Sequence, residues 1–342
     1  MTSLEIVKRA VEFGTPERAA KTTGLFGQSD FHYVELDTPR YTPRKPGYTE
    51  WGYTMAHSEI PNNGMPADVP IATWEMLDGY RWPDPRNPER YASIARRLAS
   101  PEAKDKYVHV GWFVGLFDMV YRLHEFEDCM RDFVLEADKM KFIIGKVADF
   151  MVGAIDTLAE KFPGRIHGLL VPDDWGGQES TFMSIPMWRE FFAPHYRRIG
   201  DHLHEAGMHF WLHSDGRVNE LIPVLIECGL DVINLPSPQV VGIDEIAGRF
   251  AGKICFTNGV DIQSTLVNGS DEEIEREARE LVEKWNTPRG GFIPTGGLEY
   301  KASGVTAERG LVAVNAFRKY AWGLPPLTLR EAVRQSKRPA AG

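Results

Sequence analysis

A single (β/α)8 TIM barrel of the α/β class is the fold this sequence predicts, and three observations predict it. Short apolar strand-like runs alternate with amphipathic helical stretches along nearly the whole chain. About eight such runs fit into 342 residues, the length of one large barrel. No dinucleotide-type glycine fingerprint follows any of them, which favours a closed barrel over an open doubly wound sheet. One domain is expected over residues 1–342. Its tail past about 325, rich in proline, lysine and arginine, is expected to fray.

The elements follow in order. Leu4, Ile6, Val7, Ala10 and Val11 recur at helical spacing within Ser3–Phe13, and Thr15-Pro16-Glu17-Arg18 closes that helix. Phe31–Leu36 reads as the first strand. Pro39–Pro46 holds three prolines and several cations and is a loop. Tyr48–Met55, aromatic and β-branched, is the second strand. Pro61–Pro70 is a turn-rich connection. Trp74–Pro85 carries tryptophans suited to packing; Trp74, Trp82 and the Pro39–Pro46 loop would serve as lid or interface if two rims face each other. Helical spacing returns over Pro88–Ser100.

Tyr107–Trp112 is the third strand, and a long helical region, Asp118–Phe162, is interrupted near Phe126–Met130. Gly164–Val171 is the fourth strand. Ser184-Ile185-Pro186, a cap and an early proline, opens a helix reaching Glu205. Met208–Leu212 is the fifth strand, and the amphipathic Val218–Cys228 follows it. Leu230–Leu235 and Lys253–Thr257 are strands separated by a helix over Ile243–Phe250. Ser270-Asp271-Glu272-Glu273 is a capping box opening a helix to about Trp285. Gly291–Pro294 is the last strand and Thr306–Tyr320 the closing helix.

Composition narrows the function. A formal charge of −9 argues against a nucleic-acid surface, which needs a basic face, and against a heavily anionic substrate. No run of about 18 apolar residues predicts a membrane helix, so no membrane partner is expected. Met1-Thr2-Ser3-Leu4-Glu5 lacks the basic-then-apolar pattern of a signal peptide. Cys129, Cys228 and Cys255 are odd in number and widely spread, and read as small buried hydrophobes in a reducing cytoplasm.

Barrel enzymes carry their chemistry on the loops after the strands. Those positions give Asp173, Asp174, Trp175 and Gln178, then Trp211, His213 and Asp215. Asn234 and Pro236, Asn258 and Asp261, and Thr295 and Glu299 complete the rim. Met208–Gly216 is the centre of this pattern, an apolar strand ending in an ionisable cluster and a glycine. Alternation puts Trp211 and His213 on one face, facing inward, with Leu212 outward against helices. Acids, a histidine and amides on one rim can bind a metal, run acid–base chemistry or hydrogen-bond a polar substrate. Asp174, Asp215 and Asp261 also suit helix caps; His213 does not.

Several of these stretches resemble the uroporphyrinogen decarboxylase superfamily, which also contains the corrinoid (cobalamin-dependent) methyltransferases. They are Thr15–Arg18, Glu50-Trp51-Gly52, Gly79–Pro85, Asp173–Gln178 followed by Ser184–Phe192, His213–Gly216 and Asn258–Asp261. The resemblance spans about Ser3–Trp322 and implies a barrel with its site at the strand C-termini. The decarboxylases carry an arginine-rich segment near the N-terminus for substrate carboxylates. The nearest stretch here, Arg40–Lys45, follows a different pattern. Many of the methyltransferases hold zinc with a His-x-Cys pair and a later cysteine. Here the pair reads His213-Ser214-Asp215, and Pro294–Gly297 has no cysteine. Zinc would then depend on His213, Asp215 and Glu299, with an open position for an oxygen-bearing substrate.

The resemblance implies a corrinoid-linked methyltransferase or demethylase acting on a methylated small molecule, with the corrinoid on a partner protein and a homodimer as the family's assembly. A decarboxylase of a small acid or of uroporphyrinogen, and a non-catalytic small-molecule-binding barrel, remain the alternatives. On this reading His213, Asp174 and Asp215 carry catalysis, and Asp173, Trp175, Gln178, Trp211, Asn234, Asn258 and Asp261 line the substrate.

Overall fold

A computed structural model describes residues 1–55, 65–111 and 113–336. Its strands are β1 (Phe31–Val34), β2 (Thr54–Met55), β3 (Pro66–Asp68), β4 (Tyr107–Val110), β5 (Gly168–Pro172), β6 (His209–His213), β7 (Val232–Asn234), β8 (Cys255–Asn258) and β9 (Phe292–Pro294). Seven of them form one parallel sheet in the order β1-β4-β5-β6-β7-β8-β9. The helices are α1 (Ser3–Val11), α2 (Ala92–Leu98), α3 (Leu116–His124), α4 (Phe126–Leu135), α5 (Ala137–Lys161), α6 (Ile185–Phe191) and α7 (Ala193–Glu205). They continue with α8 (Ile222–Glu227), α9 (Pro238–Val241), α10 (Ile243–Phe250), α11 (Thr265–Asn268), α12 (Asp271–Trp285), α13 (Ala307–Trp322) and α14 (Leu329–Ser336).

Of the expected closed eight-stranded barrel, the described residues show a curled parallel sheet of seven strands. The run Tyr48–Met55 supplies only β2, which pairs antiparallel with β3 in a separate ribbon. A turn at Thr49–Gly52, with Gly52 at φ +83, breaks it, and its polar residues could not fill a strand buried on both faces. Between β9 and β1 the seam is bridged by a loop: Thr22 Oγ1 donates to the Pro294 carbonyl at 3.0 Å. The predicted helical region after β4 breaks twice, at Glu125 and Glu136, giving α3, α4 and α5. The tail expected to fray instead forms α14, docked through a fully buried Ala332. Residues 61–64 of the predicted connection, Trp112 of the third predicted strand and the tail beyond Ser336 lie outside the described residues.

Strand alternation divides the apolar residues into two layers. Val34, Val108, Val110, Leu169, Val171, Phe210 and Leu212 pack outward against the helices. Phe31, Tyr107, Trp211, Val232, Cys255 and Ile293 face inward, where Ile6, Val7, Ala10 and Val11 of α1 plug the floor. Beside them Gly168 is obligatory, because a Cβ there would lie 2.3 Å from the Tyr107 hydroxyl. Cys129, Cys228 and Cys255 are buried free thiols. No helix among the described residues is long and apolar enough to cross a membrane.

Candidate functional site

Above this packed interior, β5 and β6 end side by side, with Pro172 in register with His213. Their loops meet backbone to backbone at two glycines. A Cβ on Gly216 would lie 2.0 Å from the Gly176 carbonyl oxygen, and Gly216 sits at φ +81, so both demands call for glycine. Ser214 Oγ accepts the Trp175 N–H at 3.0 Å, and Asp174 Oδ1 accepts the Asp215 N–H at 2.9 Å. These bonds hold Asp174 and Asp215 around His213.

Asp174, His213 and Asp215 each present one ligand atom, all within 4.8 Å of one another. His213 Nε2 lies 3.7 Å from Asp174 Oδ1 and 3.9 Å from Asp215 Oδ2. Its Nδ1 lies 2.6 Å from Asn234 Oδ1. The Asn234 amide donates its own N–H to the Thr257 carbonyl, which points its oxygen at the imidazole. Nδ1 therefore carries the proton, and Nε2 turns its lone pair toward the two acids. Asp215 Oδ1 is buried without a hydrogen-bond partner. Burial pushes the Asp215 carboxyl above its ordinary range, His213 opposes that, and the charges of Asp174 and Asp261 add to it. Two carboxylates and an imidazole nitrogen, one oxygen of them buried and unpartnered, fit a divalent cation such as zinc.

Asp174 and His213 line a cavity of about 680 Å³ at the strand ends. Trp51, Tyr53, Phe113 and Met119 give it apolar and aromatic walls, and Tyr41 reaches it from the proline-rich loop. Asp118 and Arg122, one turn apart on α3, also line it and pair at 2.5 Å. Burial raises the Asp118 carboxyl, and Arg122 and the Tyr121 hydroxyl counter that. Sequence reading missed Asp118, Arg122 and Tyr53. The signal was the acid–base pair four residues apart opening the helix after β4.

The structure places the other predicted site residues outside this cluster, each held by its own contacts. Asp173 is buried and accepts the N–H groups of Leu116 (3.0 Å), Phe117 (3.0 Å) and Asp118 (2.8 Å), so it caps α3. It also accepts the Tyr196 hydroxyl. Burial and the nearby Asp118 push its pKa up to about 7. Trp175 is fully buried, stacked on Phe117 at 4.7 Å, and is not part of that cavity's lining. Trp211 belongs to the barrel interior, bonded to the Tyr107 hydroxyl at 3.0 Å. Asn258 has no exposed surface and accepts the Leu235 N–H at 3.1 Å. Asp261, equally buried, accepts N–H groups from Gln239, Gln263 and Ser264. Gln178 stays on the exposed rim, bonded to Gln263 at 3.0 Å. Glu299 is exposed, beside a buried Leu298, and stands outside the ligand-atom cluster. Trp74 packs on His124 at 4.0 Å and Trp82 on Tyr80 at 4.7 Å, both as packing residues.

Comparison with known proteins places this geometry. A methyltransferase from Methanosarcina mazei superposes with a TM-score of 0.65 at 12% identity, covering 93% of this chain and 98% of its own. At that identity the likeness speaks to the fold alone. An endoxylanase of family GH10 retrieved from a sugarcane soil metagenome matches at 10% identity over 69% of this chain and 80% of its own, with a TM-score of 0.39. The catalytic module of a family 98 glycoside hydrolase from Streptococcus pneumoniae matches at 12% identity over 93% and 55%, with a TM-score of 0.36. Neither of these two carries an argument. No curated protein matches the sequence. The family model described as uroporphyrinogen decarboxylase (URO-D) matches residues 55–301, well over half of the chain. The chain belongs to the uroporphyrinogen decarboxylase family.

Proposed function

We propose that this chain is an enzyme of the methyltransferase type, moving a methyl group from an O- or N-methylated small molecule to corrinoid cobalt carried on a partner protein. The observation that carries the reading is the Asp174–His213–Asp215 cluster, with its imidazole oriented by Asn234, opening into a cavity sized for a small molecule. The end-to-end likeness in fold to a methyltransferase supports it. Sulfur ligands are replaced here by carboxylate oxygens, which keeps a divalent site but makes it harder in character.

His213 Nε2, Asp174 and Asp215 would hold zinc or a similar divalent cation. When bound, that cation supplies positive charge for a departing oxygen or nitrogen. The remaining work belongs to the chain. Trp51, Tyr53 and Phe113 would grip the body of the donor, exclude water and turn its methyl group toward the mouth. Asn234 keeps the proton of His213 on Nδ1, so the Nε2 lone pair would face the cation. The lining carries the acids Glu50, Asp118 and Asp174 against one arginine, Arg122. That balance repels a polycarboxylate, which weighs against uroporphyrinogen as substrate.

The test mixes the purified chain with a corrinoid protein in its reduced state and a panel of methyl ethers and methylamines, following the cobalt spectrum. Methylation of cobalt with at least one donor is expected. No transfer across a broad panel, together with carbon dioxide release from a candidate acid, would replace this reading with a decarboxylase.

A further inference from the structure

We infer that a second cavity, at the seam beside β1, binds a small ligand carrying a phosphate group. The cavity measures about 950 Å³ and shares no lining residue with the one at the mouth. Lys21, Lys104, Lys106 and Arg318 line it, and Glu102 is the single carboxylate in its wall. None of these four cations has a carboxylate within 4.0 Å among the described residues. Arg90 and Arg122, by contrast, each have a carboxylate partner, Glu50 at 2.5 Å and Asp118 at 2.5 Å. Four unpaired cations in one cavity are conspicuous in a chain of net charge −9.

Asp30 acts on Lys21 and Lys106 through its charge, but its hydrogen-bonding capacity is spent elsewhere. Asp30 is 1% exposed and fully engaged: Arg18 holds both of its oxygens, at 2.6 and 2.7 Å, and the Lys21 N–H and Ser3 hydroxyl take the remaining lone pairs. Arg318 is fixed by the carbonyls of Leu25 at 2.7 Å and Pro325 at 2.9 Å, neutral acceptors, and Glu331 reaches it only through its charge. Lys106 likewise donates to a carbonyl, that of Ser29. Burial lowers the pKa of Lys21 and of Lys106, and the charge of Asp30 opposes that only in part. In the same wall His32 is 4% exposed, and its Nε2 has no hydrogen-bond partner. A doubly charged anion would repay the desolvation of these groups together. Thr23, Gly24, Gly27 and Ser29 form the facing loop, small residues that let phosphate oxygens approach the backbone.

The test is calorimetric titration of the full chain with inorganic pyrophosphate at low ionic strength. Saturable binding that weakens with added salt is expected. Lys21→Met combined with Lys106→Met should weaken it at least tenfold, and Lys104→Met, on an exposed residue, severalfold. Lys139→Met removes the same charge from the surface of α5 and should leave binding unchanged. Should the double variant fail to fold by circular dichroism, the exposed Lys104→Met variant decides. No saturable binding to the folded wild type, or equal losses in Lys104→Met and Lys139→Met, would overturn the inference. Citrate binding as tightly as pyrophosphate would overturn the assignment to phosphate. Cobalt methylation by the mouth site is a separate readout, so neither result depends on the other.

Discussion

Two histidines point into the same barrel interior from strands two apart in the sheet, and their surroundings differ completely. His109 on β4 lies in the packed middle, 3% exposed, with rings on three sides: Trp211 at 4.7 Å, Tyr33 at 5.7 Å and Phe31 at 6.1 Å. Neither of its ring nitrogens has a hydrogen-bond partner. Burial drives its pKa down to about 3, so it is neutral whenever the protein is folded near neutrality. His213, on β6 at the mouth, has an amide to fix its tautomer and two acids facing Nε2. Height along the strand, more than residue type, separates packing from chemistry.

The comparison breaks most easily at His213. His213→Ala should cut turnover, or divalent-metal affinity, by about 10²–10⁴-fold, with unfolding free energy changed by no more than about 1 kcal/mol. Activity and urea midpoint measured together check this; full activity with a large stability loss would reverse the roles of the two histidines. Next comes His109→Ala, which should cost about 2–4 kcal/mol as a buried cavity while metal affinity at the mouth stays near wild type. His109→Phe should recover most of that loss.

Asp173 and Asp174, neighbours in sequence, give a second contrast. Asp173→Ala strands three helix N–H groups and should cost about 2–3 kcal/mol, whereas Asp174→Ala should cost little stability and weaken metal binding. Denaturant unfolding and zinc titration separate them. Asn234→Ala should lower metal affinity or activity about 10–100-fold by releasing Nδ1 of His213, read by the same titration.

The smallest effect is a pH slope. The folded pKa of His109 near 3 lies below the unfolded value of about 6.5. The unfolded chain therefore binds a proton that the folded chain refuses, and stability falls as pH drops from about 6.5 toward 3. At pH 5.5 the loss from this group should be about 1 kcal/mol, and it should vanish in His109→Phe. Equal slopes in the two proteins, from urea unfolding at several pH values, would show that His109 is protonated in the fold.

Much of this was legible in the sequence because periodicity reports burial. The inward face shared by Trp211 and His213 followed from strand alternation, and the structure places both there. The runs of β5 to β9 announced themselves as apolar strands with polar ends. Tyr48–Met55 misled because aromatic and β-branched content marks any strand, including a two-residue ribbon. Asp173-Asp174-Trp175 could not be sorted by sequence: one aspartate caps a helix 55 residues or more upstream and the other faces the cavity, a division set by tertiary contacts alone. Asp118 and Arg122 went unseen because a helical ion pair looks the same at a rim or on an open surface.

The stacked interior has a kinetic meaning. With α1 beneath and Tyr107, His109 and Trp211 filling the middle, the described residues pack the interior below the cluster. On the function proposed above, donor and methyl acceptor must then arrive by the same door. The small molecule would enter first, a corrinoid protein would cover the mouth over it, and the demethylated product would wait beneath until that partner withdrew. Turnover would follow a compulsory order set by traffic, and dissociation of the partner protein would limit its pace.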